Sequence, residues 1–208
     1  FVDVGANDGY YTLFAARRVG STGKVVSVEP SSRERAHLQR NLGRNGLDNV
    51  HVVAAALGAT AGVVDLHLAH GVHAGHNTLG DFAHDDVVRA SSERVPLETL
   101  DSVVARHGLS RVDMVKIDVE GGEAGVVAGA GTTLKSMRPL LLMELNDRAL
   151  HAQHQSSRAL LQTLRGDLSY EVLVFSHVTG LIERAPAGAA LSPNVVAVPS
   201  ERISEFVK

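Results

Sequence analysis

The chain contains no cysteine. Disulfides, thiolate metal sites and cysteine nucleophiles are excluded together, and a reducing cytoplasm, where we expect the protein to work, is compatible with that. Positive charge is also scarce: 20 Lys and Arg stand against 23 Asp and Glu, a formal net charge of −3. A nucleic-acid surface needs concentrated cations to displace phosphate counterions, so no nucleic-acid partner is expected. Long apolar runs are missing too. The longest are strand-sized, so no segment reads as a membrane-spanning helix and no membrane partner is expected. A serine triad has no support either, since no serine lies in a Gly-x-Ser-x-Gly elbow.

What is present suits a globular domain. Hydrophobic residues make up 44% of the chain and charged residues 21%, proportions that allow a full core. The 208 residues fit one domain of ordinary size, and we expect one domain over 1–208 without repeats or linkers. Phe1, not Met, opens the chain and already lies in a strand-like run. The expectation is a start inside the domain with an upstream segment missing, which weakens the lack of a visible signal peptide as an argument.

Strands and helices alternate along the chain, the signature of a parallel sheet covered on both faces. Phe1-Val2-Asp3-Val4 reads as a short buried strand, followed by a helix expected from about Tyr11 to Val19 and closed by Gly20. Lys24 to Glu29 reads as the second strand, stopped by Pro30. Ser31 and Glu34 have capping-box spacing and open a helix with Leu38 and Leu42 on one face, closing at Asn45-Gly46. His51 to Ala55 and the stretch around Val63 to Leu68 suggest further strands. From about Ala69 to Ser92 no period is clear, and we expect an irregular excursion partly over the site. A helix is expected from Glu98 to His107, and core strands from Val112 to Val119 and Pro139 to Leu145. Ser156 or Ser157 caps a helix bearing Leu160, Leu161 and Leu164 that ends at Gly166. Tyr170 to Phe175 and Asn194 to Val198 then read as an antiparallel pair. The expected fold is α/β, doubly wound and Rossmann-like, with a mainly parallel seven-stranded sheet and an antiparallel C-terminal strand.

The first candidate site is Asp3-Val4-Gly5-Ala6-Asn7-Asp8-Gly9, between the first strand and the first helix. Glycines there let the backbone turn tightly and approach a ligand, which would meet free amides at the helix N-terminus. Glu29 ends the second strand twenty residues after Gly9. In a doubly wound sheet its carboxylate lies beside the loop, placed to accept both ribose hydroxyls of an adenosine. A dinucleotide enzyme uses the same parts, but a G-x-G-x-x-G loop counted from Gly5 needs glycine at Asn7 and Tyr10. Asp3 would also repel a pyrophosphate, while suiting a cofactor whose amino-acid tail carries an ammonium group.

Carboxylates gather at the ends of the fourth and fifth strands, in Lys116-Ile117-Asp118-Val119-Glu120-Gly121-Gly122-Glu123 and in Met143-Glu144-Leu145-Asn146. Ligands of open α/β sheets sit at that end. Asp118 and Glu120 are two apart, so while the strand stays extended both face the same way. Glu120 and Glu123 also suit a second role, stabilising the next helix at its N-terminus.

These motifs resemble the FkbM family of methyltransferases. The likeness is carried by Phe1-Val2-Asp3-Val4-Gly5-Ala6-Asn7-Asp8-Gly9-Tyr10-Tyr11-Thr12, Val28-Glu29-Pro30, Leu97-Glu98-Thr99-Leu100-Asp101 and Val115-Lys116-Ile117-Asp118-Val119-Glu120-Gly121, with Arg138-Pro139 and Leu142-Met143-Glu144 behind them. It runs from Phe1 to about Glu144 and loosens after about Leu150. The resemblance implies a class I methyltransferase fold, S-adenosylmethionine as donor, and commonly O-methylation of a small natural product or sugar. It implies cofactor binding by Asp3, Gly5, Asn7, Gly9 and Glu29, with Asp118 at the methionine end; Ala6 and Thr12 are counted with them. Glu120, Asp118, Glu144 and His76 are the candidate catalytic residues. The absence of cysteine excludes the pyrimidine-C5 methyltransferases, which attack through a thiolate.

His67, His70, His73 and His76 recur every third residue, but Gly71 and Gly75 interrupt them, and we expect a polar loop there rather than a metal site. His76 and Asn77 remain within reach of an acceptor. A divalent cation held by Asp118, Glu144, Asn146 or Asp147 was weighed, but the same carboxylates serve cofactor and substrate directly, so no metal is assigned. Two other readings stay open: an NAD-dependent oxidoreductase, opposed by the glycine spacing, and a catalytically silent nucleotide-binding module. No oligomeric state is assigned.

Overall fold

The structure is a computed structural model and describes residues 1–70, 75–83, 87–176, 178–184 and 194–207. Its centre is a set of short strands rich in valine, whose branched side chains suit a pleated surface packed on both sides. These are β1 (Val2–Val4), β2 (Val25–Val28), β3 (Val50–Val53), β7 (Met114–Ile117) and β8 (Leu140–Glu144). All run parallel, with Val4 opposite both Val28 and Ile117. Every residue of β1 and β2 is buried, including Asp3 and Ser27.

The helices that cover this sheet are α1 (Tyr10–Val19), α2 (Ser32–Asn45), α3 (Leu100–Arg106), α4 (Glu123–Ala128), α5 (Gly131–Ser136), α6 (Asp147–Ala152) and α7 (Ser157–Gln162). Ser31 caps α2 as its spacing predicts, accepting from the Glu34 amide at 3.4 Å. The reciprocal half of the capping box is missing. Glu34 pairs with Arg33 instead, and the Ser31 amide donates to Glu29.

The C-terminal strands are β9 (Tyr170–Phe175), β10 (Ile182–Arg184) and β11 (Asn194–Pro199). As expected, β9 and β11 pair antiparallel, with Val195 opposite Val174, and β11 joins β8. Among the described residues the sheet has eight strands, ordered β10-β9-β11-β8-β7-β1-β2-β3. This corrects the expected seven: the short β10 adds an edge that its few exposed residues do not announce.

The excursion is also more regular than expected. A second, three-stranded sheet is built from β4 (Ala56–Leu57), β5 (Gly62–Ala69) and β6 (Arg89–Glu98), in the order β4-β6-β5. Residues 89–92 thus belong to a strand, and Glu98 ends that strand rather than opening a helix. β6 is mostly exposed, with Val95 its one fully buried side chain, so no alternation marks it.

This second sheet is pressed onto the main domain at one point of very close approach. A Cβ on Gly129, just after α4, would lie 2.1 Å from the Gly58 carbonyl oxygen and 3.3 Å from Thr99 Cβ. Backbone cannot yield there as a side-chain tip can. Gly129→Ala should lower the unfolding free energy by about 1–3 kcal/mol, the usual cost of overpacking, read from the urea midpoint against the parent protein.

Candidate active site

The order of the main sheet reverses between β1 and β7, because the chain proceeds outward through β2 and β3 and returns through β7 and β8. Open α/β sheets bind ligands at the carboxyl ends of strands beside such a reversal. A cavity of about 280 Å³ opens there. Its floor is Val4 to Asp8, one side is Val28 to Pro30, and the other is Lys116, Asp118 to Glu120 and Glu144. Ala55, Ala56, Leu57, Leu66 and Leu79 supply an apolar wall, part of it from the second sheet.

The loop after β1 is sharply wound. Gly5 has φ +75, and a Cβ on it would lie 1.9 Å from the Asp118 carbonyl oxygen. Only glycine allows that crossing of the two strand ends. Four of the loop's amides are engaged within the protein. Gly5 and Ala6 both donate to the Val28 carbonyl, at 3.0 and 3.1 Å, and Gly9 donates to Ala6. The Asn7 amide donates to Glu29 Oε2 at 2.8 Å. These four loop amides are therefore spent inside the protein.

Of the residues expected to touch a cofactor, Gly5, Ala6, Asn7, Glu29 and Asp118 line the cavity. Asp3, Gly9 and Thr12 do not, which corrects the expectation of direct contact. Asp3 and Thr12 are fully buried beneath the floor, where Thr12 Oγ1 donates to Asp3 Oδ2 at 2.6 Å and lies 2.7 Å from Ser27 Oγ. Gly9 faces α2, with the site of its missing Cβ 2.5 Å from Leu38 Cδ1. It makes room for helix packing.

Glu29 is 5% exposed. Its Oε1 accepts from the Ser31 amide at 2.9 Å and its Oε2 from Asn7. Each oxygen retains a lone pair. Burial pushes the carboxyl up to about 7, and the two amide hydrogen bonds oppose that rise.

Asp118, Glu120 and Glu144 present oxygens that all lie within 4.8 Å of one another. The expected convergence is present, but its cause differs. β7 ends at Ile117, and Glu120 lies in the left-handed region at φ 52, so an extended backbone does not bring the two side chains together. Burial raises Glu120 to about 8, with Glu144 and Asp118 adding to the rise. Burial and then Asp118 raise Glu144 to about 7. His76 Nδ1 stands 3.4 Å from Glu120 Oε1.

Glu123 turns away from this group. It accepts from the Val119 and Gly121 amides at 3.1 and 3.3 Å and shapes the loop before α4. Asn146 and Asp147, weighed as cation ligands, are also engaged elsewhere. Asn146 caps α6, and Asp147 accepts from the Ser157 amide at 2.9 Å. In the histidine series, His67 Nδ1 pairs with Ser92 Oγ at 2.9 Å, while His73 lies outside the described residues.

Lys116 was not singled out from the sequence. Its side chain is 6% exposed, and its Nζ donates to the Gly5 carbonyl at 2.7 Å, with Asp3 Oδ1 at 3.5 Å and Asp118 Oδ2 at 3.4 Å. Tyr11, on the cavity rim, holds its ring centroid 5.5 Å from the same atom. The available signal was a lysine inside the otherwise apolar run Met114-Val115-Lys116-Ile117. A cation in a buried strand needs partners.

The family model described as the methyltransferase FkbM domain matches residues 3–172. The chain belongs to the FkbM methyltransferase family. This FkbM domain is 26% identical to the 2-O-methyltransferase NoeI of Sinorhizobium fredii, over 78% of the chain and 70% of that protein. It is 29% identical to the AMB antimetabolite synthetase AmbE of Pseudomonas aeruginosa, over 79% of the chain but 9% of that protein. Among solved structures it resembles the FkbM methyltransferase from Methylobacillus flagellatus KT, with TM-score 0.55 and 17% identity, covering 94% of the chain and 42% of that protein. Cofactor-bound Rv0187 from MTB gives TM-score 0.53 and 14% identity, over 96% of the chain and 72% of that protein. Both share the FkbM domain's fold. The chain spans less than half of the FkbM structure and under a tenth of the synthetase.

The buried charges of the FkbM domain make its stability depend on pH. Asp3, Glu29, Glu120, Glu123 and Glu144 all hold protons above their ordinary range, chiefly through burial. The folded chain thus keeps protons that an unfolded glutamate, at 4.5, releases. Their contribution is greatest below that value and is lost as pH rises through about 7 to 8. The urea midpoint should accordingly fall from pH 5.5 to pH 8.5. Lys116→Met should strip Asp3 of its counter-charge at a cost of about 3–5 kcal/mol. That loss should be smaller at pH 5.5 than at pH 8.5, because burial favours the neutral form of Asp3, and equal losses at the two pH values would count against the ion pair.

Proposed function

We propose that this FkbM domain transfers a methyl group from S-adenosylmethionine to a hydroxyl of a small natural product or sugar. The whole of 1–208 is read as one methyltransferase domain acting on a small-molecule acceptor. The observation that carries the reading is Glu29, buried beside the loop with one lone pair free on each oxygen. That is the acceptor pair a ribose diol requires.

The rest of the cavity fits the same cofactor. The wall of Ala55, Leu57, Leu66 and Leu79 suits a planar base. Asp118, Glu120 and Glu144 suit a tail bearing an ammonium and a sulfonium. A dinucleotide would instead meet a carboxylate rim that repels its pyrophosphate, so the oxidoreductase reading loses ground. When bound, S-adenosylmethionine supplies an electrophilic methyl carbon for in-line displacement.

The chain's residues then have separable tasks. Glu29 fixes the nucleoside end. Asp118, held 3.4 Å from Lys116, takes the ammonium group. Glu120 receives the proton that the acceptor hydroxyl loses, with His76 beside its Oε1 and Glu144 within reach. Alignment of acceptor oxygen and methyl carbon supplies most of the acceleration. Proton removal adds roughly 10²–10⁴-fold. The carboxylates act directly on cofactor and acceptor, and no metal is assigned to the step. NoeI, named as a 2-O-methyltransferase, supports oxygen as the attacking atom.

Glu29→Ala loses two hydrogen bonds to a charged group, each worth about 1.5–3 kcal/mol, so S-adenosylmethionine affinity should fall at least about tenfold. Unchanged affinity by calorimetry in a folded variant would remove Glu29 from the site. Asp118→Asn should weaken binding and turnover together, whereas Glu120→Gln should lower turnover and leave affinity within about threefold. The reverse pattern would exchange their roles.

A further inference from the structure

Glu120 keeps a left-handed backbone at φ 52. A residue with a Cβ stays there only when its surroundings hold it. The holders are visible. Thr78 Oγ1 donates to the Glu120 carbonyl at 3.0 Å, and Gln153 Nε2 donates to the same carbonyl at 2.9 Å. Gln153 Nε2 also donates to Thr78 Oγ1 at 3.1 Å, and the Gly80 amide donates there at 3.3 Å. Both lone pairs of the carbonyl and every bonding position of the threonine hydroxyl are thereby used. The triangle is closed.

Three segments meet at this point: the turn after β7, the stretch following β5, and the end of α6. They are in hard contact. A Cβ on Gly121, at φ +101, would lie 2.3 Å from the Ala149 carbonyl oxygen, and one on Gly80 would lie 2.7 Å from Gln153 Cγ. Thr78 is buried and is tied to β5 by backbone hydrogen bonds with His67 in both directions. Neither Thr78 nor Gln153 lines the cavity, while Glu120 does. Ligand contact is therefore not their task.

We propose that Thr78 and Gln153 are positioning residues, which lock the backbone of Glu120 so that its carboxylate stands in the cavity beside Asp118 and Glu144. The proposal rests on Glu120 being the acceptor-side carboxylate, and it adds that two residues outside the cavity set its place. The lock joins the segment that covers the site to the group that receives the proton. Without it the turn can relax to negative φ, and that rotation carries the carboxylate away from its neighbours.

The test compares Thr78→Val, Thr78→Ser and Gln153→Met with the parent chain. Glu120 is followed by carbon-13 NMR of its labelled carboxyl, and S-adenosylhomocysteine affinity is measured by calorimetry. Burial raises the titration of Glu120, the nearby carboxylates of Glu144, Asp118 and the turned-away Glu123 add to the rise, and Lys116 lowers it, with His76 alongside. In Thr78→Val and Gln153→Met the titration should fall by at least about one pH unit toward the ordinary glutamate range. S-adenosylhomocysteine should still bind within about threefold, and Thr78→Ser, which keeps the hydroxyl, should titrate as the parent does. A merely structural role would lower the melting temperature and leave the titration unmoved, and that result would overturn the proposal. A serine variant behaving like valine would overturn it too. Should Thr78→Val fail to fold, Gln153→Met and Thr78→Ser decide alone. Failure of the methyltransferase reading is separate: it shows as no S-adenosylhomocysteine binding by the parent, whereas full turnover in Glu120→Gln would remove Glu120 from the acceptor side and overturn the proposal with it.

Discussion

The cavity depends on one buried ammonium. Lys116 Nζ touches the loop after β1 through the Gly5 carbonyl, the floor through Asp3, and the rim through Asp118. Asp3 and Gly5 lie more than a hundred residues from Lys116 and Asp118 in the chain, and the ammonium joins the two segments. Asp3 is buried with Oδ1 lacking a hydrogen-bond partner, so its charge is tolerable only because the lysine stands 3.5 Å away. Loop geometry, floor and rim thus meet at a single charged group.

Much of this was legible in the sequence, for reasons that can be named. The spacing from Gly9 to Glu29 is set by one helix and one strand, so it survives as a pattern and places Glu29 correctly beside the loop. The alternation of apolar runs with capped helices gave the parallel sheet, and the final antiparallel pair followed from two valine-rich stretches. What escaped was whatever lacks a period. β5 was legible around Val63 to Leu68, but its partner β6 buries a single side chain fully along ten residues and left no alternation to read. Lys116 hid inside a motif that reads as a strand, where its neighbours were noticed and its own burial was not.

Some expectations placed residues well for the wrong reason, or named a motif member that acts at one remove. Glu120 was expected beside Asp118 because strand residues two apart share a face, yet a left-handed turn is what brings it there. Asp3, Gly9 and Thr12 belong to the signature loop without reaching its cavity. Asp3 and Thr12 hold the floor up, and Gly9 lets α2 approach. A motif records residues that must coexist, and a structure is needed to separate those that face a ligand from those that hold the facing ones still.

The two ends of the cavity are built from different materials. Beside Glu29 the loop is stapled to β2 by main-chain hydrogen bonds from Gly5 and Ala6 to Val28, at a crossing where Gly5 admits no Cβ. Elsewhere part of the apolar wall comes from a separate small sheet, and Glu120 is held by side-chain ties that individual substitutions can undo. Mutational drift therefore acts unequally on the two. One end is written in backbone and resists change, while the other is written in side chains on an excursion that can be rebuilt without disturbing the sheet below. A lineage of such domains can remodel the covering excursion while the loop beside Glu29 stays the same.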